Sequence, residues 1–274
     1  MKRYAVFPAL ALGGGCAAFI LRLLQQRTGF EPDTGLPIPG TPFGVATAVL
    51  TLLAIVACIL LRQKLPKEQE GTPLFPAGFS TGDAGLLTLA VAGVFLMAAA
   101  GLADLAAGLG VQSFPGMAQN ATVSQREQLL LGILTLASAA CLFPAVPACR
   151  THSNREPRSF NGLLLLMPVV FLVVRLVLVY RQDSANPILA TYWVELLALV
   201  LVILALYRLS AFAYGAGQTR RFVLYAVPAI VLCLASLADG GALSSILFNG
   251  GAALTLTGFL LQRLVNLPSD MSNQ

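Results

Sequence analysis

The sequence predicts an all-α fold, a polytopic integral membrane helical bundle with about eight transmembrane helices, and three observations carry that prediction. Hydrophobic residues make up 57% of the 274 residues and charged residues 11%, whereas ordinary soluble domains are roughly a quarter charged. The apolar residues are gathered into runs of about 20, the length that crosses a bilayer as a helix. Those runs are too long and too uniformly apolar for the alternating strands of an outer-membrane barrel.

The spans are expected at 4–25, 42–61, 84–105, 128–148, 162–180, 188–212, 222–238 and 241–264, and together they form a single transmembrane domain over 1–274. The first follows Lys2 and Arg3 and resembles a leader, with Gly13, Gly14 and Gly15 before Cys16. Gly13 stands where a lipoprotein box has leucine, and the run continues through Phe19, Ile20 and Leu21, so an uncleaved span is expected. The second opens on Pro42, a favourable first helical residue, and closes at Arg62 and Lys64. The third is rich in Gly and Ala. The fourth, fifth and seventh carry Pro144 and Pro147, Pro168, and Pro228. Such prolines either break helices near a site or reflect the ordinary tolerance of membrane helices. The fifth and sixth spans are separated by Gln182 to Pro187, with Asn186 as a natural cap, so an antiparallel hairpin is expected there.

Lys and Arg sort unevenly between the two sides. With the N-terminus inside, the inner flanks hold Lys2, Arg3, Arg62, Lys64, Lys67, Arg150, Arg155, Arg158, Arg208, Arg220, Arg221 and Arg263, twelve of the 17. The positive-inside rule then puts both termini in the cytoplasm, with the plasma membrane as the expected location. The formal charge of +5 reflects this orientation and not nucleic-acid binding, because no basic cluster with interleaved aromatics exists. Of the outer segments, Gly29 to Pro42 is dense in Pro and Gly and is expected to form either an ordered cap or a solvated linker. Asn120, Ala121 and Thr122 match a glycosylation acceptor, which matters only in a eukaryotic secretory pathway.

Several chemistries lack their residues. The lone His152 sits in an inner loop, so paired haem ligands, a histidine metal cluster and a Ser-His dyad are excluded. No span contains lysine for a Schiff base, and no phosphate loop or zinc-protease motif occurs. No cofactor and no metal are expected. Cys16, Cys58, Cys141, Cys149 and Cys233 lie in or beside apolar runs without metal-ligand spacing and are read as packing residues.

A polar layer in the outer half is the candidate site, because charges within spans are costly. It comprises Arg22, Asp104, Arg175, Glu195 and, on the eighth span, Asn249, which shares a face with Ser245 and Ala253. Arg175 and Glu195 fall at matching depth, roughly 9 to 12 Å below the outer boundary, and are expected to pair. Arg22 is the other candidate partner of Glu195, and Arg175 could instead snorkel to the headgroups. Asp104 lies between Gly101 and Gly108 on one face and is expected to point into the bundle, or else to be an interfacial aspartate. Asp239, followed by Gly240 and Gly241, reads as an interfacial residue at a span end. Leu21-Arg22-Leu23 echoes Val174-Arg175-Leu176, and Leu102-Ala103-Asp104 echoes Leu237-Ala238-Asp239, which suggests two parallel four-helix halves.

Two classes of function fit these residues. One is a small-solute transporter or membrane-embedded binding subunit, with the lipid bilayer as its medium and a small zwitterionic or cationic ligand in the outer pocket. The other is a non-transporting scaffold or partner subunit of a membrane complex; an enzyme acting on lipid-borne substrates is a third. Reporter fusions after Lys64, near Arg155 and at Gln274 are expected to read cytoplasmic, and fusions near Thr34 and Ala118 external. A C-terminus that reads external would overturn the eight-span arrangement.

Overall fold

The computed structural model describes residues 4–31, 38, 40–65, 74–110, 124–150, 160–183 and 189–267. Most of the Pro-Gly segment, Asn120, His152 and the Asn186-Pro187 turn lie outside them. Among the described residues, nine α-helices follow in order: α1 Val6–Thr28, α2 Pro42–Leu61, α3 Ala84–Gly108, α4 Gln125–Leu142, α5 Ala145–Ala148, α6 Leu163–Asp183, α7 Leu189–Ala213, α8 Thr219–Ser236 and α9 Leu243–Val265. With α4 and α5 counted as one span, eight are long and apolar enough to cross a membrane. The protein is an all-α multi-pass membrane bundle, as its sequence predicts.

Local chemistry sets the helix limits. Pro42 opens α2 behind Thr41. The Asp83 carboxylate accepts from the Gly85 amide at 2.9 Å and caps α3. The Asn161 side chain accepts from the Leu163 amide at 3.1 Å and starts α6. Pro144, lacking an amide proton, coincides with the break between α4 and α5. Pro168 and Pro228 sit inside α6 and α8 without ending them. Gly215 and Gly240, at φ 71° and 63°, take the left-handed conformations that turn α7 into α8 and α8 into α9.

Six helices form a closed circuit in which α8, α9, α3, α4, α6 and α7 each pack on the next, and α7 returns to α8. Helices α1 and α2 lie outside that circuit against α8. The circuit is tight where small residues face each other. A methyl group added at Gly93 would stand 2.5 Å from the Thr255 amide nitrogen and 2.7 Å from the Gly251 carbonyl oxygen, so α3 and α9 touch backbone to backbone. Gly101, Gly108 and Gly132 hold α3 against α4 in the same way.

The two ends of the bundle differ. At the end that carries the described chain's first and last residues, the turn around Phe75 to Phe79 folds back into the bundle, with the Phe75 amide donating to the Phe212 carbonyl at 3.1 Å. Phe79 is fully buried and packs edge-on against Phe212, Phe222 and Phe259. Arg263 crosses this plug, donating to the Gly78 carbonyl at 3.1 Å and to the Thr219 hydroxyl at 2.8 Å, with its guanidinium over the Phe212 ring. The Asn266 amide group donates to the Ser80 carbonyl at 2.7 Å. The opposite, far end holds the polar layer.

Gly93→Ala is expected to lower the melting temperature of the purified protein, because the added methyl meets backbone that cannot rotate away, at a cost of about 1–3 kcal/mol. Gly13→Ala, which meets nothing within 4 Å, is expected to leave it unchanged. Equal melting of both variants would show that the α3–α9 contact is not close-packed.

Candidate functional site

The polar layer is built from two buried ion pairs and one carboxylate outside both. In the first pair, an Arg175 terminal nitrogen donates to the Asp104 carboxylate at 3.0 Å and to the Thr135 hydroxyl at 2.6 Å. The Thr135 hydroxyl passes its own proton back to the Leu131 carbonyl. The guanidinium also lies 4.5 Å from the centre of the Phe248 ring, a cation–π contact. Asp104 reaches this point because it shares a face with Gly101 and Gly108, the residues that bring α3 onto α4.

In the second pair, Arg22 donates through Nε to Asp239 at 2.5 Å and through a terminal nitrogen to Gln25 at 2.9 Å. The Gln26 amide group donates to the same Asp239 oxygen at 3.0 Å. Arg22 is fully enclosed. The helical turn Leu237–Asp239 that carries the aspartate packs against α1.

These contacts correct two expectations. Arg175 pairs with Asp104 and not with Glu195, because its side chain turns towards α3 and α4, where a carboxylate and a hydroxyl converge on one nitrogen. Asp239, read as an interfacial residue at a span end, is the counter-charge of a buried arginine, held against α1 by the turn beyond α8. The two sequence echoes meet crosswise: the arginine of each half binds the aspartate of the other. The packing around the pairs is not the same, however. Helix α1 rests directly on α8, whereas α6 packs on α4 and α7, and Arg175 reaches α3 by its side chain. Thr135, Phe248, Gln25 and Gln26 complete the pairs and went unread in the sequence, where nothing distinguishes them from other polar or aromatic residues in a span.

Glu195 stands apart. Its carboxylate accepts a short hydrogen bond from the Ser245 hydroxyl of α9. Among the described residues, none of the ion pairs includes it. Glu195 occupies the face of α7 that also carries Ala198, Leu199 and Val202, which are 0%, 2% and 1% exposed. Glu195 itself remains partly exposed. One turn deeper on α9, Asn249 is 1% exposed and donates its amide group to Ser245 at 3.4 Å, leaving its carbonyl oxygen without a partner.

No family model, curated protein or solved structure matches the chain.

Replacing Arg175 with Met is expected to cost about 3–5 kcal/mol, because Asp104 is left as an uncompensated buried charge. Adding Asp104→Leu to Arg175→Met should recover much of that loss, while adding Glu195→Gln should not. Detergent melting of the single and double variants checks this, and rescue by Glu195→Gln in place of Asp104→Leu would reverse the assignment of partners.

Proposed function

We propose that the chain is a membrane-embedded solute-binding protein, a small transporter or the binding subunit of one, whose pocket lies between α7, α8 and α9 at the far end. The observation that carries this reading is Glu195, a carboxylate within a span that is half-buried, outside every ion pair among the described residues, and next to the unpartnered Asn249 carbonyl. Ionisable groups at such positions mark ligand or ion pathways. Arg22, Asp104 and Arg175 serve the pocket by holding its walls, because their charges satisfy one another. Two features of the fold support the reading. The circuit helices carry Asp104, Arg175, Glu195 and Asn249, and the phenylalanine plug packs between circuit helices at the other end. With twelve of the 17 basic residues assigned to the terminus-bearing side, the pocket faces outward and both termini lie in the cytoplasm.

The competing reading, a scaffold subunit, draws on the internal pairing of both arginines and on the exposed apolar face of α2, where Leu52, Leu53 and Leu60 are uncovered. Thiol accessibility separates the two. In a background with the native cysteines replaced, Ser245→Cys in sealed vesicles is expected to react with a membrane-impermeant thiol reagent from one side only, and Ala198→Cys not at all. Protection of Ser245→Cys from both sides would replace the binding reading with the scaffold.

A further inference from the structure

The polar atoms that packing leaves over at this crevice are acceptors. Ser245 has a single hydroxyl proton, and it is committed to Glu195. Towards Asn249 the serine oxygen can therefore only accept, which fixes the amide so that its NH2 group faces Ser245 and its carbonyl oxygen is left without a protein donor. The second carboxylate oxygen of Asp239 is likewise buried and unpartnered.

Charge counting points the same way. Arg22 is balanced by Asp239 and Arg175 by Asp104, so Glu195 is the carboxyl group of the layer that no ion pair among the described residues balances. A zwitterion would bring a carboxylate of its own, and the two arginines that could receive it are already bound to aspartates. An ammonium head brings three N–H donors and no acceptor, the complement of a carboxylate beside an amide oxygen.

We infer that the crevice between α7 and α9 binds a monovalent cation with N–H donors, a primary ammonium, with Glu195 as its counter-charge and the Asn249 carbonyl oxygen as its hydrogen-bond acceptor. This rests on the binding reading above and narrows it to one ligand class. Ser245 positions both acceptors.

The test is thermal melting of the purified full chain with methylammonium, tetramethylammonium, sodium and glycine added as chloride salts or neutral solute. Methylammonium is expected to raise the melting temperature increasingly with concentration by mass action. Tetramethylammonium, which has the charge without the donors, and sodium are expected to leave it unmoved. Glu195→Gln, which keeps the shape and removes the charge, is expected to weaken the methylammonium effect by at least about tenfold. Asn249→Leu provides a second reading if Glu195→Gln lowers the ligand-free melting temperature. A shift with sodium alone, with tetramethylammonium as large as with methylammonium, or with glycine but not methylammonium would overturn the ammonium assignment and leave a binding pocket. If no solute moves the melting temperature while Ser245→Cys is labelled from water, the cation assignment fails. If Ser245→Cys is also protected, the pocket itself fails with it.

Discussion

A guanidinium in the hydrocarbon layer has to carry its counter-charge with it, and Arg175 is where this bundle meets that requirement. A lone charge there costs several kcal/mol by any measure. Four of the six circuit helices contribute to its neutralisation: α6 supplies the arginine, α3 the aspartate, α4 the threonine hydroxyl and α9 the aromatic face. Close approach of α3 to α4 is a precondition, because Asp104 is too short to cross a gap filled by larger side chains. The glycines at 101, 108 and 132 are thus part of the electrostatics as well as the packing. Where lipid is the solvent, apolar burial between helices gives little, and contacts of this kind carry more of the specificity.

The eight spans were legible because the bilayer imposes a length and a composition on each helix independently of its neighbours. Boundaries moved modestly: α1 continues past Gln25 to Thr28, and α4 begins at Gln125. The charged residues themselves were also legible, since their cost in a span makes each one conspicuous. Their partners were not. Depth along the membrane normal is one coordinate, and it placed Arg175 level with Glu195, but it carries no information about direction around the bundle. Arg175 turns to α3 and α4, and Glu195 turns to α9. Asp239 was misread for a related reason: Gly240 and Gly241 signal a chain end, yet the turn before them keeps the aspartate against α1. The phenylalanine plug had a visible signal in Phe75 and Phe79, two large aromatics in a segment otherwise read as a loop, and no rule of span counting uses it.

The chemistry of the two ends is opposite in kind. At one, a positively charged Arg263 is enclosed by the Gly78 carbonyl, the Thr219 hydroxyl and the Phe79 and Phe212 ring faces. At the other, acceptors remain that the packing does not satisfy. A bundle meant only to be rigid gains nothing from an unpartnered amide oxygen beside a carboxylate, because each such atom weakens the fold. Each such group in a native protein calls for an explanation, whether strain, water or a ligand, and the Gln262 amide oxygen near the plug calls for one as well.

The crosswise pairing also bears on how the chain is made. Arg22 and Asp239 are 217 residues apart, and at ribosomal speeds of about 5–20 residues per second the aspartate follows the arginine by roughly 10 to 40 seconds. Throughout that interval the first helix holds its guanidinium with only nearby help, and Gln25, three residues on, is the group placed to give it. Asp104 and Arg175 are separated by 71 residues, a shorter wait, and there the acid emerges first. The contact that ties α1 to the turn beyond α8 thus forms only after the seventh span has been made.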